Sequence, residues 1–169
     1  YKKGFHLTSL ANIAANAEVP LGNMYYYFKE KKSIGEAVIL KMTLEYKTMF
    51  DLLNKTQCPL ERLRLFIKNQ YYNCKSTDIV KYGCRVGTLS QEISKQKNSL
   101  SKNIISLIQI ILCWIKEQFV ELGFSNNANN YAIFFMSNLQ GMCLLTNAFA
   151  DPKILKDQSD YLLTFVKIL

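Results

Sequence analysis

Tyr25, Tyr26 and Tyr27 occupy consecutive positions. Helical neighbours lie about 100° apart, so three phenols in a row cannot share one buried face, and no core needs such a run. Nearby stand other groups able to hold a partner: the hydroxyls of Thr8 and Ser9, the amide of Asn23, and the ammonium groups of Lys29, Lys31 and Lys32. Taken singly, each has a plainer role as well. A hydroxyl can cap a helix, lysines can line a solvated turn, and Tyr25 can be half core.

Catalytic constellations are missing. His6 is the sole histidine, far in sequence from most nucleophiles. No H-E-x-x-H, phosphate loop or clustered carboxylate pair occurs, so an enzyme is not expected. The five cysteines, at 58, 74, 84, 113 and 143, are odd in number and show no C-x-x-C spacing. That excludes a disulfide framework and a structural zinc site and predicts reduced, buried thiols in a cytoplasmic protein, with no metal and no cofactor.

The balance of 21 basic and 13 acidic residues gives a net charge of +8. Such an excess points to an anionic partner, either nucleic acid or an acidic membrane. The charge is spread along the chain and is not a basic tail. Residues 122–150 carry no charge, yet Asn126, Asn127, Asn129, Asn130, Ser137, Asn138, Gln140 and Asn147 make them too polar for lipid exposure. A helix buried on more than one face, as in a subunit interface, fits better, with an intramolecular core helix as the alternative. No membrane association is expected. A membrane-bound or structural helix bundle is the rival reading.

These residues must be held by helices. With 3 Pro and 7 Gly in 169 residues, breakers are few, and the apolar spacing is helical almost throughout. Short helices are predicted at 8–17 and 20–28, with Pro20 ending one and starting the next. A polar break covers 29–32. Longer helices follow at 33–54, 60–74, 85–95, 99–122, 128–149 and 153–168, and 75–83 reads as a polar connection. The 99–122 helix, apolar nearly all round between Ile104 and Ile115, should be the most buried. The fold class is all-α.

Two short helices with a tight turn, at a basic end, form the shape of a helix-turn-helix. The stretch Thr8–Lys31 resembles the DNA-binding signature of the TetR family of bacterial repressors, T-S-x-x-x-I-A-x-x-A-G-V-S-x-G-x-[LI]-Y-x-[HY]-F-x-x-K, with nearly every fixed position filled. The resemblance implies an N-terminal DNA-binding domain over 1–33 and a helical ligand-binding and dimerisation domain over 34–169. It implies a homodimeric cytoplasmic repressor on a palindromic double-stranded DNA operator, released by a small-molecule inducer. Ile13, Ala14, Ala17, Val19, Met24 and Phe28 would hold the short helices together. Gly22 would admit close backbone approach. Tyr25, Tyr26 and Tyr27 would meet bases or phosphates, Asn23 a base edge, and Thr8, Ser9 and Lys31 phosphates.

There are departures from the pattern. Glu18 stands where the family has Gly, which costs about 1 kcal/mol if φ is positive there. Leu21 replaces a frequent polar base reader and could touch a thymine methyl instead. The family's first helix, which precedes the motif, is represented only by Tyr1–Phe5, so it is missing or lies outside this sequence.

In the second domain, the last two helices would form a dimeric four-helix bundle, with Gly141 allowing close approach. Phe66, Tyr71, Trp114, Phe119 and Phe135 would surround an apolar or aromatic inducer, although a plain core would look similar. Residues 82–93 resemble a segment of some family members. Within it, Cys84 beside Arg85 is a candidate sensor thiol, with a packed structural cysteine as the plainer reading.

Overall fold

A computed structural model of the chain describes residues 1–73 and 76–168. It contains helices and turns, with no strand among the described residues. The helices are α1 (Leu10–Asn16), α2 (Leu21–Tyr27), α3 (Lys31–Leu53), α4 (Pro59–Asn73), α5 (Ser76–Tyr82), α6 (Arg85–Ile93), α7 (Ser99–Glu121), α8 (Ala128–Phe149) and α9 (Pro152–Ile168). A short 3-10 turn, Ser94–Gln96, follows α6.

The 75–83 segment differs from expectation, since α5 is helical. Its polarity hid one inward residue, Ile79, which is buried. Asp78 in the first turn and Lys81 in the last complement the helix dipole. α7 also differs. It buries one stripe, Ile104, Leu107, Ile111, Trp114, Ile115 and Phe119, while Ile105 is 46% exposed. The thiols divide too: Cys143 is buried, but Cys58 and Cys113 are exposed. Cys58 lies just ahead of α4, and Cys113 lies on the solvent side of α7. Cys74 lies outside the described residues. By length and composition alone, α7 and α8 could cross a membrane. Each instead lays an apolar stripe into the protein core.

The chain divides into two compact units. One is Tyr1–Glu45 with Arg85–Ile108, and the other is Tyr46–Cys84 with Gln109–Leu169. In the first, Ala14, Ile39, Met42, Val86, Leu100 and Ile104 are buried. Gly35 is required by packing. A Cβ there would lie 2.9 Å from both Leu100 Cδ1 and Phe5 Cε2.

The second unit is built on aromatic rings. Phe50 stacks on Trp114 with centroids 4.5 Å apart and planes 7° from parallel. Phe66 lies 5.3 Å from Trp114 and 6.4 Å from Phe135. The Trp114 indole N–H donates to Asn54 Oδ1 at 2.9 Å, so its one polar atom is satisfied. Arg62 ties the ends of this unit's helices. It donates to Thr56 O, Gln118 Oε1 and Glu121. α9 packs on α8 and α4, and α5 packs on α8.

Candidate nucleic-acid interface

The interface begins with a cap. Ser9 precedes α1, and its Oγ accepts from Asn12 N at 3.1 Å, while Asn12 Oδ1 accepts from Ser9 N at 3.0 Å. This reciprocal pair fixes where α1 starts. The end of α1 is also set by hydrogen bonds. Val19 N donates to Ala14 O at 3.0 Å, and Glu18 N donates to Ala15 O at 3.3 Å. That is a Schellman closure, with Glu18 at φ 55° in the left-handed position that glycine favours. The strain expected at Glu18 is therefore present. Glu18→Gly should raise stability by about 1 kcal/mol, seen as a melting temperature a few degrees higher. An unchanged or lower melting temperature would show that the strain is relieved elsewhere.

Pro20 then takes φ −58° and ψ 138° as the residue before α2. Its ring has no N–H to leave unsatisfied at the helix start. Met24 and Phe28 are half-buried, and α2 packs on α1, so α2 is seated by its inner side. Ala17 and Val19, expected in this small core, are exposed. The tight closure puts both on the outside of the turn.

The outer side of α2 follows from 100° per residue. Gly22, Tyr26 and Asn23 are centred opposite Met24 and Phe28, and Tyr25 and Tyr27 flank them. Exposure agrees, at 81% for Tyr26, 75% for Tyr27 and 53% for Tyr25. The Tyr26 and Tyr27 rings meet edge to face, 5.0 Å apart. Leu21 is 40% exposed, at the border. A Cβ on Gly22 would meet nothing within 4 Å, so nothing inside the protein requires glycine there.

The three other predicted contact residues have internal partners. Thr8 Oγ1 donates to Gly4 O at 2.7 Å. Lys31 Nζ donates to Phe5 O at 2.8 Å and His6 O at 3.0 Å, and sits 4.7 Å from the Phe5 ring centroid. Ser9 caps α1. Together they set the path of residues 4–9 beside α1.

Sequence reasoning missed the far side of that path. His6 N donates to Glu92 Oε2 at 3.1 Å, and His6 Nε2 lies 3.1 Å from Glu92 O and 3.2 Å from Gln96 Nε2. A Cβ on Gly4 would lie 2.7 Å from Glu92 Oε1. Arg85 meets Glu45 at 3.5 Å, and Ser99 Oγ donates to Glu36 at 2.6 Å. No local signal marks these pairs, because His6 and Glu92 are 86 residues apart.

The predicted inducer residues lie in the second unit. Phe66, Trp114, Phe119 and Phe135 are all buried, packed on one another and on neighbouring rings. The side chain of Tyr71 lies outside the described residues. Only Phe66 among the four borders this unit's cavity, which is about 20 Å3, room for one water. Cys84 borders it too, half-buried, with Gln140 Nε2 3.6 Å from its Sγ. A larger cavity of about 420 Å3 lies in the first unit, against Tyr1, Phe5, Ile13, Val38 and Leu89.

Residues 1–38 match the family model of bacterial regulatory proteins, tetR family. Over that stretch the chain carries the DNA-binding domain of the TetR family. An uncharacterized HTH-type transcriptional regulator of Lactococcus lactis subsp. lactis is 28% identical over 97% of this chain and 85% of its own length. A TetR transcriptional regulator from Legionella pneumophila shares the fold, with a TM-score of 0.84 and 18% identity over 95% of this chain and 87% of that one. AibR, solved in complex with isovaleryl coenzyme A and operator DNA, aligns with a TM-score of 0.64 and 15% identity over 96% of this chain and 89% of that one. With that domain and these relatives, the chain is a DNA-binding transcriptional regulator, a class that acts by binding and not by catalysis.

Proposed function

We propose that this regulator is a homodimeric repressor in the cytoplasm, reading a palindromic operator with α2 in the major groove and released by a small molecule. One observation carries the operator reading. The outer side of α2 presents three exposed phenols, an exposed amide and a glycine with open space above it. Phenols and an amide can donate and accept at base edges and phosphates. Gly22 lets the backbone come close to the groove. Thr8, Ser9 and Lys31 would add phosphate contacts. Ser9 is exposed, and the Lys31 ammonium has a third N–H beyond the two carbonyls it meets.

The dimer reading rests on α8 and α9. Ile133, Phe134, Leu144, Leu145 and Phe149 of α8 are exposed, as are Tyr161 and Ile168 of α9. Phe134 meets Phe165 of α9 with centroids 4.6 Å apart, so the two helices share one apolar face. Gly141 has open space above it. An α8 face this apolar, on a helix without charged residues, resembles the core of an oligomer interface.

For the inducer, a cavity of about 20 Å3 is far below the roughly 300 Å3 that a drug-sized ligand needs. An apolar or aromatic inducer would enter among Phe66, Tyr71, Trp114, Phe119 and Phe135 only by parting packed rings. Cys84, on the cavity wall, is the candidate sensor thiol.

The test is selection of bound duplexes from a random pool at two salt concentrations. A palindrome with half-sites about 34–36 Å apart, or a multiple of that, is expected. Affinity should fall steeply with salt, at a slope of about −0.9 per phosphate contact. Recovery of no preferred sequence would overturn the operator reading.

A further inference from the structure

The cavity of the second unit is small, but its wall is chemically distinctive. Cys84, Cys143, Met136 and Met142 all border it, and among the described residues no carboxylate, imidazole or cationic head does. We propose that it binds one soft monovalent cation of the Cu(I) class, held by the sulfurs of Cys84 and Cys143 with thioether support from Met136 and Met142.

The placement follows from the helices. Met136, Gln140 and Cys143 stand at spacings of 4 and 3 along α8, one above another on one side. Cys84 comes to that side because the chain turns at Gly83, φ 75°, directly after α5, which packs on α8. Gln140 Nε2 lies 3.6 Å from Cys84 Sγ, with its amide aimed at the sulfur as it would be at a coordinated thiolate. Cys143 is one turn further along the helix. Ser159 Oγ has one proton and gives it to Leu155 O at 2.7 Å. The Met142 sulfur lies 3.4 Å from the same hydroxyl, and of its two lone pairs at most one is engaged there.

Softness decides which ion fits. Thiolate and thioether sulfur select Cu(I) over hard ions. Zinc takes four ligands drawn from thiolate, imidazole and carboxylate. Among the described residues, no three His, Cys, Asp or Glu converge on one point. Cu(I) tolerates low coordination, and a volume near 20 Å3 admits an ion but no organic ligand. Each thiol that coordinates gives its proton to solvent, so uptake strengthens as pH rises.

Metal uptake is measured without DNA, so this proposal stands or falls apart from the operator reading. Only a further effect of the ion on operator binding would rest on that reading. Cys58, Cys74 and Cys113 are first changed to Ser to remove competing thiols. The full chain is then titrated anaerobically with Cu(I) bicinchoninate. One Cu(I) per chain is expected, unaffected by excess Zn(II). Losing even an outer partner of a metal site costs about 10–100-fold in affinity. Cys84→Ser or Cys143→Ser should therefore weaken uptake by about 100-fold or more. Met142→Leu keeps the volume and should weaken it by about tenfold, with the melting temperature unchanged. If a serine variant fails to fold, Met136→Leu and Met142→Leu decide the matter. No uptake by the background protein, uptake indifferent to these substitutions, or displacement by Zn(II) would overturn the proposal.

Discussion

Gly22→Glu abolishes operator binding and leaves the protein folded and dimeric. That is the expected result, and it follows from the empty space above Gly22. A Cβ there meets nothing within 4 Å, so the change clashes with no part of the protein. Glycine within a helix costs roughly 1 kcal/mol relative to Ala, and a carboxylate in the first turn is favoured by the helix dipole. Stability should therefore hold or rise. In the groove the same side chain occupies the closest approach of α2 and sets a negative charge against phosphates. Operator affinity should fall by more than about 100-fold, to the non-specific level or below it. Tyr25→Ala is the milder companion. Tyr25 is 53% exposed, so its loss scarcely affects packing, while a lost base contact costs about 1–3 kcal/mol. Electrophoretic shifts on the selected duplex, with melting curves and sedimentation on the same samples, check all of this. Wild-type affinity in Gly22→Glu would remove α2 from the role of reader.

Gly141→Glu should produce the opposite division, an intact fold with no dimer. Gly141 lies on α8 in the row of Phe134 and Leu145, seven residues from one and four from the other. A Cβ there also meets nothing within 4 Å. The isolated chain accepts the substitution and gains helix propensity. Across a two-fold interface the same carboxylate would face its own copy with no partner. A buried, unpaired charge costs several kcal/mol, enough to make the protein monomeric at micromolar concentration. Operator affinity should then fall by about 10²–10⁴, because the second half-site no longer binds intramolecularly. Sedimentation gives the mass, and the duplex shift gives the affinity. A Gly141→Glu protein that stays dimeric would place the interface elsewhere.

The two predictions also mark how much was legible beforehand. The α1–α2 pair could be read because its instructions are local: a hydroxyl that caps, a proline that stops one helix and starts the next, and a run of phenols that no core could take. Positive φ at Glu18 could be read from the departure it makes from glycine. The α8 helix could be read to its ends, because Asn127 and Asp151-Pro152 bracket an uncharged apolar run. α5 was missed, since a seven-residue helix with one buried side chain among its described residues shows no periodicity.

By itself, then, the sequence determined the helical class, the bounds of α1 and α2 and the exposed side of α2, because capping, φ restriction and periodicity act over a few residues. Tertiary structure alone decided three other things. It gave Thr8 and Lys31 backbone partners in the segment before α1. It closed the rings of the second unit into a packed core and left beside them a space of about 20 Å3 bordered by Cys84 and Cys143. It also joined His6 to Glu92 across 86 residues. Such contacts depend on how distant helices pack, and side-chain type and spacing carry no record of which distant surface a residue will meet.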